Sequence, residues 1–530
     1  MTTLNLTVDG IAVTVPAGAT ILDAAKVAGI SIPTLCHFPG LPSQTSCLVC
    51  VVKVNNGTRL LPSCATKAAE GMAVDSSSTE VHDARRTALE LLLGYHLGDC
   101  LAPCESICPT HFDVAEVLRL AAAWRLEEAI AVMLERHALP AILGRLCPNL
   151  CERGCRRTMA DGAVSVREVE RFVADADLNS ANPYIPPLKP ASGRKVAIIG
   201  AGPCGLSAAF HLARFGHACT VFDASIEVGG ALRREVSVEA LPRTVIDAEV
   251  ARIKRMGVTF QLGTAIDADI FARLRSEYHA VLVATGEANA KVAAVFGLTF
   301  AGKGLKAERD TGATAIPGVF TAGSAVAPAK QAVRAVASGR GTALAINRYL
   351  AGLKPEAEAK AFSVRLGPAA RELMPQFLAH ASASPRHEPV PGGCLDDDET
   401  KDESARCLAC ACTSRNNCSL RDYADEYGAD PNRFRMELPP LKVDYTHPLV
   451  TYEPGKCIAC GLCIAVAAQH GEKLGLGFAG RGFTIQVAVP FGGTMKDALP
   501  LSARKCAEVC PTAAIALRPD AVVRTGVEAP

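Results

Sequence analysis

The stretch Lys195-Val-Ala-Ile-Ile-Gly200-Ala-Gly202-Pro-Cys-Gly205 decides how the middle of this 530-residue chain folds. Val196 to Ile199 is a short apolar run, the pattern of a strand buried on both faces. Three glycines follow in G-x-G-x-x-G spacing, and Leu206 onward has the composition of a helix. That order lets the backbone approach a pyrophosphate, whose negative charge a helix N-terminus favours. Asp223 falls at the end of the next strand, where it can accept from a ribose hydroxyl. A lone G-x-G-x-x-G would equally suit a ligand-free glycine turn; the flanking elements and Asp223 favour a dinucleotide. Strand and helix patterns alternate over 194–352, so a Rossmann-like domain is expected over residues 191–352.

Working outward, Leu4 to Val8 and Ile11 to Val15 alternate around the turn Asp9-Gly10, which predicts a β-hairpin. Thr20 is placed to cap a short helix through Ala24, Ala25 and Val27. Strand, strand, helix and a cysteine-bearing loop suit a β-grasp ferredoxin-like domain over 1–80. Residues 81–182 read as helical: Asp113 with Glu116 resembles a capping box, and about twenty residues of helical apolar spacing follow. A proline-rich linker runs from Asn182 to Pro190. Residues 353–404 read as linker or helix, with a second linker near Ala381 to Gly393 and an acidic run, Asp396 to Glu399, expected to be a solvated segment. A cysteine-rich domain is expected over 405–530. The fold class is therefore α/β multidomain, ending in a ferredoxin-like iron–sulfur domain.

A hydrophobic share of 49% and a formal net charge of +1 argue against disorder and against nucleic-acid binding. No basic stretch followed by an apolar core opens the chain, and no apolar run of about 18–20 residues occurs. A soluble, cytoplasmic protein without a membrane span is expected. In that compartment thiols stay reduced, so the 22 cysteines, mostly in tight groups, point to metal rather than to disulfides.

Cys36, Cys47, Cys50 and Cys64 are spaced C-x10-C-x2-C-x13-C. A close pair flanked by two distant cysteines suits a plant-type 2Fe–2S cluster; zinc is the alternative, but the wide first gap fits zinc modules poorly. The surrounding segments IPTLCHFPGL, SCLVCVVKV, LLPSCAT and ARRTALELLLGYHLGDC resemble the large iron–sulfur subunit of respiratory complex I and its relatives in hydrogenases and formate dehydrogenases.

CESICPTHFDVAEVL and LPAILGRLCPNLCERGCRR resemble the N-terminal domain of the glutamate synthase small subunit and of dihydropyrimidine dehydrogenase. The resemblance implies two 4Fe–4S clusters with interleaved ligands, one on Cys100, Cys104 and Cys155, the other on Cys108, Cys147 and Cys151. Each is then one ligand short. Where the family has its first cysteine this chain has Leu97; His96 stands one residue earlier, and its H-x3-C spacing copies the histidine-ligated cluster of the complex I relatives. Glu170 stands where relatives carry Glu or Gln, and is expected to fill the other vacancy or to make helix ion pairs.

Cys457, Cys460, Cys463 and Cys510, the last followed by Pro511, form C-x2-C-x2-C with a remote Cys-Pro, a 4Fe–4S pattern that again resembles complex I subunits. Cys407, Cys410, Cys412 and Cys418 lie within twelve residues and could enclose a 4Fe–4S cluster, a zinc or neither. Cys204, Cys219, Cys394 and Cys506 are expected to be ordinary core thiols.

Gly229-Gly230-Ala-Leu-Arg233, Ala284-Thr285-Gly286 and IPGVFTAGS, containing Gly323 and Ser324, resemble flavin-binding segments of the glutamate synthase small subunit. FAD on Gly200, Gly202, Gly205, Asp223 and these residues is what the resemblance implies. Ser324 replaces the family's Asp. The family also inserts an NADPH domain between ATG and IPGVF, where this chain has only about 30 residues.

No nucleophile–base pair or catalytic carboxylate pair stands in a recognisable motif. The expectation is an electron-transfer subunit with one 2Fe–2S cluster, three 4Fe–4S clusters (four if the Cys407 group binds one) and FAD. Its partners would be an NADH-oxidising flavoprotein, or a formate dehydrogenase or hydrogenase catalytic subunit, and its flavin could split electron pairs. The alternatives are a self-contained NAD(P)H-dependent reductase and a non-catalytic iron–sulfur scaffold with a vestigial flavin fold.

Overall fold

The computed structural model describes residues 2–518 apart from 329, 368–370, 380, 391–392, 414–416 and 440. The chain builds two compact units and passes between them repeatedly. Met1–Leu101, Ala361–Gln376 and Cys410–Pro530 make the first; Ala102–Lys360 and Phe377–Ala409 make the second. The segment expected as linker or helix over 353–404 therefore contributes to both.

The first unit opens with the expected hairpin, Thr3–Val8 against Ile11–Pro16, in register Thr7 to Ala12. Asp9 and Gly10 both take positive φ, the geometry of the tight turn that matches strand twist. Thr20 and Asp23 form a reciprocal capping box at the start of the helix Ile21–Val27. In space the strands run Ile11–Pro16, Thr3–Val8, Ala73–Asp75, Val51–Val54, Leu60–Pro62. Leu6, Val8, Val13 and Val15 point inward onto Ile21 and Leu22, as period-two alternation requires. A second core in the same unit joins Leu35 and Leu89 to Val364, Leu420, Val450, Val466 and Ile515. It is covered by the antiparallel pair Val450–Tyr452 and Ile515–Leu517 and by the helices Leu462–Gln469 and Ala503–Val509.

In the second unit the Asp113 carboxylate caps the helix Val114–Ala122 by accepting from the Glu116 amide. The apolar spacing predicts one longer helix, but the chain turns at Ala123–Arg125, with Trp124 at positive φ, before Leu126–Leu134 resumes. A five-stranded parallel sheet follows, in the order Val319–Thr321, Ala280–Val283, Lys195–Ile199, Ala218–Phe222, Thr259–Gln261. The helices Pro203–Arg214 and Ala332–Leu350 pack closely: a Cβ on Gly339 would sit 2.2 Å from the Cys204 carbonyl oxygen. Between the strands Ala280–Val283 and Val319–Thr321 there is room only for the short helix Ala290–Val295 and a two-residue hairpin.

The acidic run is exposed, as expected, but it is also the capped N-terminus of a helix, Asp397–Ala405. The apolar pattern is silent there because the buried side chains of that helix include Glu403, with Arg406 just beyond it. Both groups are satisfied: Arg406 donates to Glu403 at 2.8 Å and to the carbonyls of Ser384, Gly162 and Ala163. Glu403 in turn accepts from the Ser165 and His387 amides at 2.7 Å. Residues 377–409 are thus fastened into the second unit by buried charge.

Candidate redox centres

The four N-terminal cysteines are brought together. Cys36, Cys47, Cys50 and Cys64 are all buried, and Cys36 Sγ lies 3.3 Å from Cys47 Sγ. Hydrogen bonds from Cys47 and Cys64 hold the Cys36 thiol far below the usual range, at about 2. Cys50 is lowered to about 6, chiefly by Cys64. Two low thiols beside two raised ones is what crowding four sulfurs into one pocket produces; as thiolates they suit a metal. Leu48, between Cys47 and Cys50, takes the left-handed conformation that a non-glycine residue adopts only when the surroundings impose it. Cys36 and Cys47 belong to the second core of the first unit, Cys50 and Cys64 to the β-grasp core, so the site lies at their seam.

Cys457, Cys460, Cys463 and Cys510 line one small pocket, with Tyr452 and Thr512. Ala459 is left-handed, as Leu48 is, and its amide points at Cys457 Sγ at 3.4 Å. The Ile515 amide does the same to Cys510 Sγ at 3.4 Å. Amides aimed at sulfur stabilise thiolate ligands and tune a cluster's potential. Cys506 faces the Cys463 carbonyl and is fully buried, in keeping with a core thiol.

The expected set Cys100, Cys104 and Cys155 is not assembled within one unit: Cys100 belongs to the first, Cys104 and Cys155 to the second. A neighbouring small pocket in the first unit is lined by His96, Cys100, Cys412, Cys418, Arg421 and Lys456. Burial, with Lys456 nearby, lowers the His96 imidazole to about 3, leaving it neutral at physiological pH. Lys456 reaches Cys412 Sγ at 3.5 Å and Glu453 at 2.6 Å. The fourth cysteine group is divided accordingly. Cys407 packs with Cys104 and Cys155 against the core of the second unit, whereas Cys412 and Cys418 lie in the first. Among the described residues no three His, Cys, Asp or Glu converge as closely as a single metal ion would need.

In the second unit, Glu170 is buried and its charge bears on both Cys147 and Cys151. Burial first, then Glu170, raises the Cys147 thiol to about 11. Glu170 also binds His137 Nδ1 at 2.6 Å, and His137 Nε2 meets Thr110 and approaches Cys108 Sγ at 4.0 Å. Burial lowers the His137 pKa, but Glu170 and Cys108 outweigh it and carry it to about 9. His137 and Lys456 were not legible in sequence. His137 stands outside any motif, in the short connection between the helices Leu126–Leu134 and Pro140–Leu146, while Lys456 carried one weak signal, adjacency to Cys457. Cys204, Cys219 and Cys506 are buried as expected; Cys394 is exposed, in the loop just ahead of Asp396, the N-cap of the helix Asp397–Ala405.

The nucleotide loop has the expected shape. Gly200 (φ +116°) passes so close to the neighbouring strand that a Cβ would lie 2.2 Å from the Ala284 oxygen; a Cβ on Gly205 would lie 1.9 Å from the Gly200 oxygen. Gly202 and Gly286 face open space. No side chain caps the helix Pro203–Arg214, so its first amides are available to a phosphate. Asp223 accepts from the Ala201 amide at 2.7 Å and the Ser225 amide at 2.8 Å, which fixes the carboxylate at the strand end. Gly229 and Gly230 fold over the loop, with a Gly230 Cβ 3.0 Å from Gly202 Cα. Arg233 is tied to the Val228 carbonyl at 2.6 Å and to Asp247. Thr285 follows the strand Ala280–Val283; Gly323 is held by Ser338 at 2.9 Å, with Ser324 in the short turn Gly323–Ala325. An open, glycine-walled cradle at an uncapped helix end fits a dinucleotide such as FAD. No described helix is long and apolar enough to cross a membrane.

Comparison with known proteins matches three segments of the chain. Residues 1–79 match the 2Fe–2S iron–sulfur cluster binding domain, 97–182 the 4Fe–4S domain II of dihydropyrimidine dehydrogenase, and 160–339 the pyridine nucleotide-disulphide oxidoreductases. The chain is 38% identical over 207 residues to the NADP(+)-dependent formate dehydrogenase subunit beta of Moorella thermoacetica, covering 35% of this chain and 29% of that one. It is 35% identical over 188 residues to the NAD-dependent dihydropyrimidine dehydrogenase subunit PreT of Salmonella typhimurium, covering 35% and 45%. It is 34% identical over 200 residues to the NADPH-Fe(3+) oxidoreductase subunit beta of Geobacter sulfurreducens, covering 37% and 30%. The chain spans less than half the length of each of these relatives. It is an oxidoreductase-type mosaic that carries a 2Fe–2S domain, a 4Fe–4S domain and a flavin-type pyridine nucleotide oxidoreductase domain on one polypeptide.

Proposed function

We propose that this chain is the electron-relay subunit of a larger cytoplasmic oxidoreductase, with its substrate chemistry on partner subunits. The observation that carries the reading is the sharing of one hydrophobic core by two thiol-lined sites, Cys36 and Cys47 of the first and Cys457, Cys460, Cys463 and Cys510 of the second. Redox centres packed into one core lie near enough to pass electrons without a mobile carrier.

In this reading Cys36, Cys47, Cys50 and Cys64 hold a 2Fe–2S cluster, and Cys457, Cys460, Cys463 and Cys510 a 4Fe–4S cluster. Cys108, Cys147 and Cys151, with Glu170, hold another in the second unit, and Cys104 and Cys155 serve a third. FAD, when bound, supplies a junction between one-electron and two-electron chemistry. The residues do the holding: Asp223 fixes the ribose end, the uncapped amides of the helix Pro203–Arg214 face the pyrophosphate, and Ser324 stands at the ribityl chain. One relative's name, a formate dehydrogenase subunit beta, favours a formate dehydrogenase catalytic subunit as partner; an NADH-oxidising flavoprotein or a hydrogenase would fit the same relay, and electron bifurcation is compatible with a flavin junction.

A self-contained NAD(P)H reductase is the second reading, favoured by the relatives' nucleotide-dependent names. Against it stands the segment between Ala284 and Val319, which holds one short helix and a hairpin and no strand-GxGxxG-helix unit among the described residues. The test is anaerobic isolation of the full chain, with assay of iron, acid-labile sulfide and flavin, followed by addition of NADH and NADPH. Iron and flavin that dithionite reduces but pyridine nucleotides do not would support the relay. Bleaching by NAD(P)H alone would establish the reductase, and absence of flavin after gentle isolation would establish a scaffold.

A further inference from the structure

We infer that His96, Cys100, Cys412 and Cys418 together hold one 4Fe–4S cluster, so that the cysteines of the 407–418 segment are shared between centres and do not enclose one of their own. The inference rests on the relay reading and deepens it by giving a third centre to the first unit.

Four potential ligands line a single small pocket. They come from three stretches of chain, and the backbone shows why they converge. Asp99 and Ala411 form a parallel β-bridge, which sets the next residues, Cys100 and Cys412, beside each other on adjoining strands. The Cys100 amide is fixed on the Val364 carbonyl at 3.3 Å, and the Leu97 amide on the Gly455 carbonyl at 2.9 Å. Cys418 begins the helix Ser419–Glu426, which the Leu420 amide anchors to the Pro511 carbonyl at 3.0 Å. A Cβ on Gly455 would collide with Leu97 at 2.8 Å, so the backbone beside His96 is pressed against the loop that begins the C-terminal cysteine motif.

The chemistry of the donors matches the cavity. His96 is buried, and its Nδ1 has no hydrogen-bond partner among the described residues, an arrangement that is costly unless a ligand takes the lone pair or the proton. One imidazole and three thiols spaced wider than a single ion needs are the donors of an iron–sulfur cluster, whose ligands are spread around a cage. Lys456 Nζ, 3.5 Å from Cys412 Sγ, supplies a buried cation to offset thiolate charge. The H-x3-C spacing accounts for two of the ligands; the other two arrive about 310 residues later in the chain. Thr512 lines both this cavity and that of Cys457, Cys460, Cys463 and Cys510, so the proposed centre is one side chain away from the next.

The test is pulsed EPR on the full chain, prepared anaerobically with ¹⁵N-histidine and reduced with dithionite. One cluster signal is expected to carry a histidine-nitrogen coupling. His96→Cys should abolish that coupling while iron content stays unchanged. Cys412→Ser and Cys418→Ser should each shift the same signal or remove it, with loss of up to about four iron atoms per chain. Cys407→Ser should leave it intact. The inference is overturned if the coupled signal survives Cys412→Ser and Cys418→Ser but falls with Cys104→Ser or Cys407→Ser. It is equally overturned if iron-replete protein shows no histidine coupling, an outcome that leaves the relay reading standing; protein without iron and sulfide would sink the relay reading itself. Should a serine variant fold poorly, the His96→Cys arm decides alone, since a coupling that persists there excludes His96.

Discussion

His137 Nδ1 lies 2.6 Å from a carboxylate oxygen of Glu170, and both side chains are almost wholly withdrawn from solvent. The carboxylate that sequence offers as a cluster ligand is therefore also the counter-charge of a buried imidazole. Removing one partner of such a pair strands the other, which typically costs about 3–5 kcal/mol. Glu170→Ala should lower the stability of the second unit by that order and deplete one cluster, whereas Glu170→Gln, which can still accept from His137, should be milder. Thermal unfolding and iron content of the two variants check this. Equal loss in both would mean that the carboxylate's charge, not its hydrogen bond, is what His137 needs.

The same pair gives a pH dependence whose sign is fixed. His137 has its pKa raised in the folded chain to about 9, above its ordinary value of 6.5. The stabilisation it contributes is thus fully present below about pH 6.5 and fades as pH climbs through 9. Unfolding midpoints of wild type and His137→Gln, compared across that range, should differ most near pH 6 and converge by about pH 10. A gap that widens with pH would refute the assignment.

Arg406 is fully buried and donates to Glu403 and to three carbonyls from two segments, Ser384 and the neighbouring Gly162 and Ala163. Arg406→Ala should destabilise the second unit by about 3–5 kcal/mol, because Glu403 would keep its charge without a cation. Limited proteolysis should then cut within 377–409 first. If cleavage starts elsewhere, this arginine is not what fastens that segment.

Asp223 accepts two backbone amides, at Ala201 and Ser225. Asp223→Ala removes both bonds and the ribose acceptor, and should weaken flavin retention by about 5- to 150-fold, roughly 1–3 kcal/mol. Flavin released on gel filtration measures it. Unchanged retention would move the ribose contact to another residue.

Lys456 sets a cation against Cys412 while burial and Glu453 hold it in place. A buried positive charge favours the reduced, more negative state of an adjoining cluster. Lys456→Met should make one cluster harder to reduce, by on the order of 50 mV, or about 1 kcal/mol for one electron. Potentiometric EPR titration reads the shift; a move to more positive potential would contradict it.

Local signals in the sequence were faithful wherever one segment suffices. The hairpin turn at Asp9-Gly10, the caps at Thr20 and Asp113, and the strand-glycine-helix of Lys195 to Arg214 all depend on neighbours within a few residues. The thiols of Cys36, Cys47, Cys50 and Cys64, and of Cys457, Cys460, Cys463 and Cys510, also come together, although Cys64 and Cys510 arrive from beyond the loops that carry their partners.

What escaped is what long-range packing decides. Cys407, Cys410, Cys412 and Cys418 read as one group because they are close in sequence, yet the β-bridge of Ala411 to Asp99 draws Cys412 one way while Arg406 and its carbonyl partners hold Cys407 another. Burial of Glu403 and Arg406 is invisible to an apolar pattern, since paired charges occupy positions that hydrophobic residues usually fill. His137 left no trace for a related reason: a histidine gains meaning only from the groups that fold around it.

The core that unites Leu35 with Ile515 also bears on the order of events at the ribosome. At roughly 5–20 residues per second, about 25–100 s separate the synthesis of those two side chains. During that interval the early cysteines have been made but the walls that will shelter them have not. The thiols of Cys457, Cys460, Cys463 and Cys510 therefore gain their shelter only once the strand Ile515–Leu517 has been made, and chains arrested before it would leave those sulfurs open to oxidation.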